Sequence, residues 1–99
     1  MKVTLTEWAK NYVMQERAGR DVAIFIFQSE CFCTGIHPEV IHRPKADVNP
    51  AFLKAYFEEV GKFEGISIYL DKRLKDYFGS SDLIIDVDGG LKLKSGMEK

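Results

Sequence analysis

The run from Val22 to Phe27 (VAIFIF) is the feature that most restricts how this chain can fold. Successive side chains of a strand point to opposite faces, so a strand here would be apolar on both sides. Such strands are stable in the middle of a sheet that is covered on both faces. The run is also far shorter than the roughly 20 apolar residues that span a bilayer. The sequence therefore predicts a sheet built around a central, buried strand.

The N-terminal segment predicts a short strand, Val3 to Leu5, followed by a helix from about Glu7 to Ala18. Thr4 with the glutamate three residues later fits a capping box, and Thr6 is a rival cap. One stripe of this helix is apolar and is predicted to pack in the core. Its residues are Leu5, Trp8, Ala9, Tyr12 and Val13.

A second strand is predicted from Glu39 to His42, between Pro38 and Pro44. Proline has no N–H to give to a neighbouring strand, so prolines at both ends disfavour a central position in a sheet. This strand is therefore expected at an edge.

Asn49 as N-cap and Pro50 at the first helical position predict a helix over Pro50 to Tyr56. Residues 57–60 fit either a continuing helix or a strand. The remaining predicted elements are a strand Ile66–Leu70, a short helix Lys72–Phe78 capped by Asp71, and a hairpin of Leu83–Val87 with Leu91–Lys94. Regular alternation of strands and helices is absent, which indicates an α+β fold with a mainly antiparallel or mixed sheet.

Ninety-nine residues, 45 % of them apolar, predict one globular domain over residues 1–99, with 95–99 as a frayed tail. Fourteen basic and fifteen acidic residues give a net charge of −1. Without a field of one sign, neither nucleic acid nor an anionic membrane surface is an expected partner. The N-terminus lacks the apolar core of a signal peptide, so the expected location is the cytoplasm.

The chemistry of the chain centres on its only two cysteines, Cys31 and Cys33, which follow the central strand. In an extended backbone, residues two apart project to the same side, so both thiolates could bind one metal ion. The only histidines, His37 and His42, complete a Cys₂His₂ set within twelve residues. The spacing is not that of a standard zinc finger. A dimer could instead supply four thiolates to a [2Fe–2S] cluster.

Two alternatives need no metal. The cysteine pair could be a thiol redox site, because a strained Cys-x-Cys disulfide would be easily reduced. The cysteines could also be buried as small apolar residues, as free cysteines often are, within a non-catalytic interaction module. His37 and His42, taken alone, are typical of surface histidines. No nucleophile and base stand in an order that indicates an enzyme.

Several segments resemble the HesB-like domain, the fold of A-type iron–sulfur carriers. They are Val3-Thr4-Leu5-Thr6-Glu7-Trp8-Ala9, then Gly65 to Asp71, Phe78-Gly79-Ser80 and Ile85-Asp86-Val87. Cys31 falls where these carriers have their first cysteine. The chain is most similar to a small variant with a Cys-Cys or Cys-x-Cys motif, sometimes with selenocysteine, to which Cys33 corresponds.

The resemblance implies a small HesB-like α+β domain that handles a metal or an iron–sulfur cluster. The cofactor implied is a cluster, iron or zinc, and the partners are a second copy, iron–sulfur assembly proteins or apo-targets. One departure matters: the carriers have a second cysteine pair near the C-terminus, where this chain has Asp88-Gly89-Gly90-Leu91. The helix at Pro50 to Tyr56 is also unlike the family, which tends to be extended there.

Overall fold

The computed structural model describes residues 2–17, 21–28, 38–63 and 65–95, which form two sheets and three short helices. No helix in these ranges is long and apolar enough to cross a membrane. The strands are β1 (Val3–Leu5), β2 (Val22–Gln28), β3 (Pro38–Pro44), β4 (Phe57–Phe63), β5 (Ile66–Asp71), β6 (Leu83–Val87) and β7 (Leu91–Ser95). The helices are α1 (Glu7–Arg17), α2 (Pro50–Tyr56) and α3 (Lys75–Phe78), and 3-10 turns occupy Lys45–Asp47 and Lys72–Leu74.

The larger sheet has four strands in the order β3-β2-β5-β4. β2 lies in the interior of this sheet, antiparallel to β3 and parallel to β5. Ala23 and Ile24, which point to opposite faces, are both fully buried, so the prediction of a strand covered on both sides is confirmed. β3, with a proline at each end, is an edge strand as expected.

The smaller sheet has the order β1-β6-β7. β6 and β7 form the predicted antiparallel hairpin. β1 pairs with β6 in parallel, with Val3 opposite Leu83. β7 runs through Ser95, one residue into the predicted tail, and residues 96–99 lie outside the described ranges.

Both sheets contribute to one hydrophobic core. Ala9 and Val13 of α1 are fully buried in it, and Tyr12 packs against it from one side. The prediction for Trp8 is wrong, since this residue is 74 % exposed. The physical reason is angular: Trp8 precedes Ala9 by one residue, which rotates it by about 100° around the helix and away from the core-facing side.

The N-terminus of α1 is capped by Thr6, the rival of the predicted capping box. Its Oγ1 accepts a hydrogen bond from Ala9 N at 3.1 Å and donates one to Asp86 Oδ1 at 2.9 Å. Thr4 is exposed on β1. The cap therefore also joins α1 to the smaller sheet.

The predicted helix Pro50–Tyr56 is confirmed. Residues 57–60, which fitted either a helix or a strand, lie in β4. Asn49 Oδ1 accepts a hydrogen bond from Ala51 N at 2.8 Å, as an N-cap should. The chain then becomes extended at Phe57 because β4 pairs with β5 along its length. The register shifts between Glu59 and Gly61, so Val60 lies in a bulge.

Candidate functional site

The candidate site lies at the end of β2, where Gln28 pairs with Pro38 at the start of β3. Residues 29–37 join these two strands. They contain Cys31, Cys33 and His37, all of which lie outside the described residues. What the structure describes is the base from which this segment leaves the sheet and returns to it.

The backbone of Gln28 is held by one side chain at the end of β5 and one in the 3-10 turn that follows it. Its N–H donates to Asp71 Oδ2 at 3.2 Å, and its carbonyl oxygen accepts from Arg73 Nη2 at 3.1 Å. Pro38, opposite Gln28 on β3, has no N–H to donate. β5 ends at Asp71, and the chain then turns away from β2. Beyond this point the Asp71 carboxylate and the Arg73 guanidinium, rather than backbone groups of β5, bind the end of β2 at Gln28.

Asp71 and Arg73 form a close ion pair. Arg73 Nη2 lies 2.7 Å from Asp71 Oδ2, and Arg73 Nε lies 3.1 Å from each carboxylate oxygen. The backbone N–H of Arg73 donates to Asp71 Oδ1 at 2.9 Å, which is the predicted cap of the short helical segment. The side chain of Asp71 is only 5 % exposed, whereas that of Arg73 is 56 % exposed.

The hydrogen bonds keep both groups charged. Burial raises the pKa of Asp71, but the hydrogen bonds from Arg73 and from the backbone of Gln28 lower it by more, so the pKa lies below its ordinary value. The hydrogen bond to Asp71 raises the pKa of Arg73. The carboxylate and the guanidinium therefore carry opposite charges that offset each other.

An aromatic pocket of about 490 Å³ opens on the same end of the sheet. Among the described residues, its lining is aromatic apart from the Asp71–Arg73 pair: Phe27, Phe52, Tyr56, Phe57, Asp71 and Arg73. The ring centroids of Phe52 and Tyr56 are 5.0 Å apart, and both residues are more than half exposed. The volume lies within the usual range for small-molecule sites.

His42 is the one predicted ligand that lies within the described residues. It pairs with Ile24, four positions along β3 from Pro38, or about 13 Å at the rise of a strand. Its ring meets the ring of Tyr12 edge-on, with centroids 5.8 Å apart. In the described ranges, no group of three or more His, Cys, Asp or Glu side chains could hold a metal ion. The ligand role of Cys31, Cys33, His37 and His42 stays a prediction.

Neither Arg73 nor the pocket was predicted from the sequence. Asp71 and Arg73 stand two residues apart just after a predicted strand, and this Asp-x-Arg spacing was a signal that could have drawn attention to both. The contact to Gln28 had no such signal, because it joins residues 43 and 45 positions apart. The conformation of residues 57–60 was left open, so the sequence did not predict that Phe57 of β4 would line one pocket with Phe52 and Tyr56 of α2.

Comparisons with known proteins agree with this fold. The sequence matches the profile of the CC/Se motif containing family over residues 1–96. None of the curated proteins matches it. The structure is similar to the crystal structure of Escherichia coli SufA, described as involved in biosynthesis of iron–sulfur clusters, with a TM-score of 0.53 and 10 % identity. That similarity covers 99 % of this chain and 83 % of SufA. It confirms the predicted small α+β HesB-like fold.

Proposed function

Because this chain belongs to the CC/Se motif containing family, we propose that it binds a metal ion or an iron–sulfur cluster as cargo through Cys31 and Cys33. The two cysteines are the only thiols of the chain. The observation that supports the proposal best is their position: they begin three residues after Gln28, at the end of the buried central strand. A rigid strand that ends in a short connection is a common base for binding residues.

The donor chemistry fits a soft metal. Thiolates favour zinc, Cu(I) and iron–sulfur clusters over magnesium or calcium. One chain supplies two thiolates, and a [2Fe–2S] cluster takes four, so a cluster would be held between two copies. A single zinc ion would instead use Cys31 and Cys33 with His37 and His42. No thiol stands near the C-terminus to complete the set of the A-type carriers.

The HesB-like fold supports a role in iron–sulfur metabolism, because SufA, which shares the fold, is involved in biosynthesis of iron–sulfur clusters. We propose that the chain is one domain that acts in the cytoplasm as a carrier rather than as an enzyme. Its partners would be iron–sulfur assembly proteins or the apo-proteins that receive the cargo. Transfer requires only that a second set of thiolates replaces Cys31 and Cys33 at the metal.

Anaerobic metal analysis tests the proposal. Protein purified without oxygen is analysed for zinc and iron, then reconstituted with iron and sulfide and followed by visible absorption. We expect bound metal or a cluster in the wild type, and none in a Cys31→Ser, Cys33→Ser variant. A His42→Gln variant separates the two ligand sets, since it would lose zinc but keep a cluster held by thiolates alone.

Two results would contradict the proposal. A thiol pair that binds no metal but oxidises reversibly in a glutathione series would identify a redox site instead. Protein that binds no metal, and whose cysteines can be changed to alanine without loss of fold or partner binding, would identify an interaction module with structural cysteines. A thiol count on fresh protein distinguishes these two results.

A further inference from the structure

The Asp71–Arg73 pair does more than cap the segment that follows β5. A cap requires only the Asp71 carboxylate and the backbone N–H of Arg73. Here the guanidinium also reaches across to the neighbouring strand and donates to the carbonyl oxygen of Gln28. Together the two side chains bind both backbone polar groups of Gln28, the residue at which the cysteine-containing connection begins.

We propose that Asp71 and Arg73 are positioning residues for the cysteine pair, acting through the backbone of Gln28; the inference rests on the function proposed above. Cys31 follows Gln28 by three residues, so their Cα atoms are at most about 11 Å apart. Over so short a connection, a displacement of the strand end moves the start of the thiol-bearing segment with it. The Asp71–Arg73 pair thus fixes the strand end from which the cysteine-containing segment leaves the sheet.

Arginine is required at position 73 for a geometric reason. Its Nε donates to both oxygens of Asp71, while Nη2 donates to Asp71 and to Gln28 at the same time. A lysine ammonium is a compact charge on a flexible stem and does not reproduce this planar arrangement. Arg73→Lys therefore keeps the positive charge but loses the hydrogen bond to the carbonyl oxygen of Gln28.

The test compares Arg73→Lys and Arg73→Ala with two controls. Lys75→Ala breaks the neighbouring ion pair with Glu58, in which Lys75 Nζ lies 3.1 Å from Glu58 Oε1, and leaves Asp71 and Arg73 unchanged. Ile85→Val weakens the core at β6, so it reproduces a loss of stability without removing a hydrogen bond of Asp71 or Arg73 to Gln28. The two measurements are the rates at which iodoacetamide alkylates Cys31 and Cys33 in the reduced, metal-free protein, and zinc affinity by chelator competition.

In both Arg73 variants, we expect iodoacetamide to alkylate Cys31 and Cys33 at rates outside the range set by the wild type and the two controls. Zinc affinity should fall by about tenfold or more, as when groups that orient metal ligands are removed. Alkylation rates and zinc affinity equal to those of the controls would overturn the inference while leaving the metal function intact. If the wild type binds no zinc and no cluster but the Arg73 variants still change the alkylation rates, the proposed function fails and the positioning role stands.

Discussion

Replacing Asp71 with alanine is expected to destabilise the fold by about 3 kcal/mol, because it leaves a buried N–H without an acceptor. Gln28 is 3 % exposed, and its N–H donates to Asp71. A buried donor that loses its partner costs about 1–3 kcal/mol. The lost cap at Arg73 N adds about 1 kcal/mol. The Arg73 guanidinium is 56 % exposed and can turn to water, so its lost ion pair adds little.

Thermal and urea unfolding measure this change. For a domain of this size, 3 kcal/mol corresponds to a Tm lower by roughly 12 to 24 °C. Lys75→Ala is the matched control, because both partners of its ion pair with Glu58 are largely exposed and the expected cost is below about 1 kcal/mol. A loss below about 1 kcal/mol for Asp71→Ala, or equal losses in the two variants, would refute the conclusion that the buried N–H of Gln28 depends on Asp71 as its acceptor.

The same pair predicts a pH dependence. The pKa of Asp71 is lower in the folded protein than the value of about 3.9 expected when the chain is unfolded. A depressed carboxylate pKa contributes stability that is fully present above the unfolded value and is lost as the pH falls through the folded value. The difference in unfolding free energy between the wild type and Asp71→Asn should therefore be constant near neutral pH and shrink below about pH 4. A difference that does not change down to the pH of acid unfolding would contradict the assignment.

Two further predictions concern α1. Thr6→Ala should cost about 1 kcal/mol by removing the cap on Ala9 N. Thr4→Ala, at the first residue of the predicted capping box, should change the unfolding free energy by less than about 0.5 kcal/mol. Equal costs in urea unfolding would contradict the assignment of Thr6 as the cap. Trp8→Ala should also cost less than about 0.5 kcal/mol because Trp8 is 74 % exposed, against about 2 kcal/mol for the fully buried Val13→Ala. A loss of 3 kcal/mol or more at Trp8, the cost typical of a core tryptophan, would restore the interpretation as a core residue.

Much of the secondary structure could be predicted because its signals are local. Asn49 and Pro50 mark the start of α2, and the structure shows the expected cap. Gly79 ends α3 with φ of 58°, a conformation that favours glycine. These signals act between residues a few positions apart, so they can be recognised without knowing the rest of the fold.

Burial was harder to predict than helicity. The apolar stripe of α1 is wider than the strip of helix that the core covers, so the pattern alone did not separate Ala9 and Val13 from Trp8. Residues 57–60 fitted two conformations locally, and pairing with β5 decided for a strand. In both cases the deciding contact came from a different element of the chain.

By itself, the sequence determined that β2 would be buried on both faces, that the fold would be α+β, and that Cys31 and Cys33 would follow the central strand. These conclusions depend on side-chain periodicity and on position along the chain. Only the tertiary structure placed Asp71 and Arg73 against Gln28 and put aromatic residues of β2, α2 and β4 around one pocket. The physical reason is that the parallel pairing of β2 with β5 brings together residues more than 40 positions apart, and no local pattern records such a pairing.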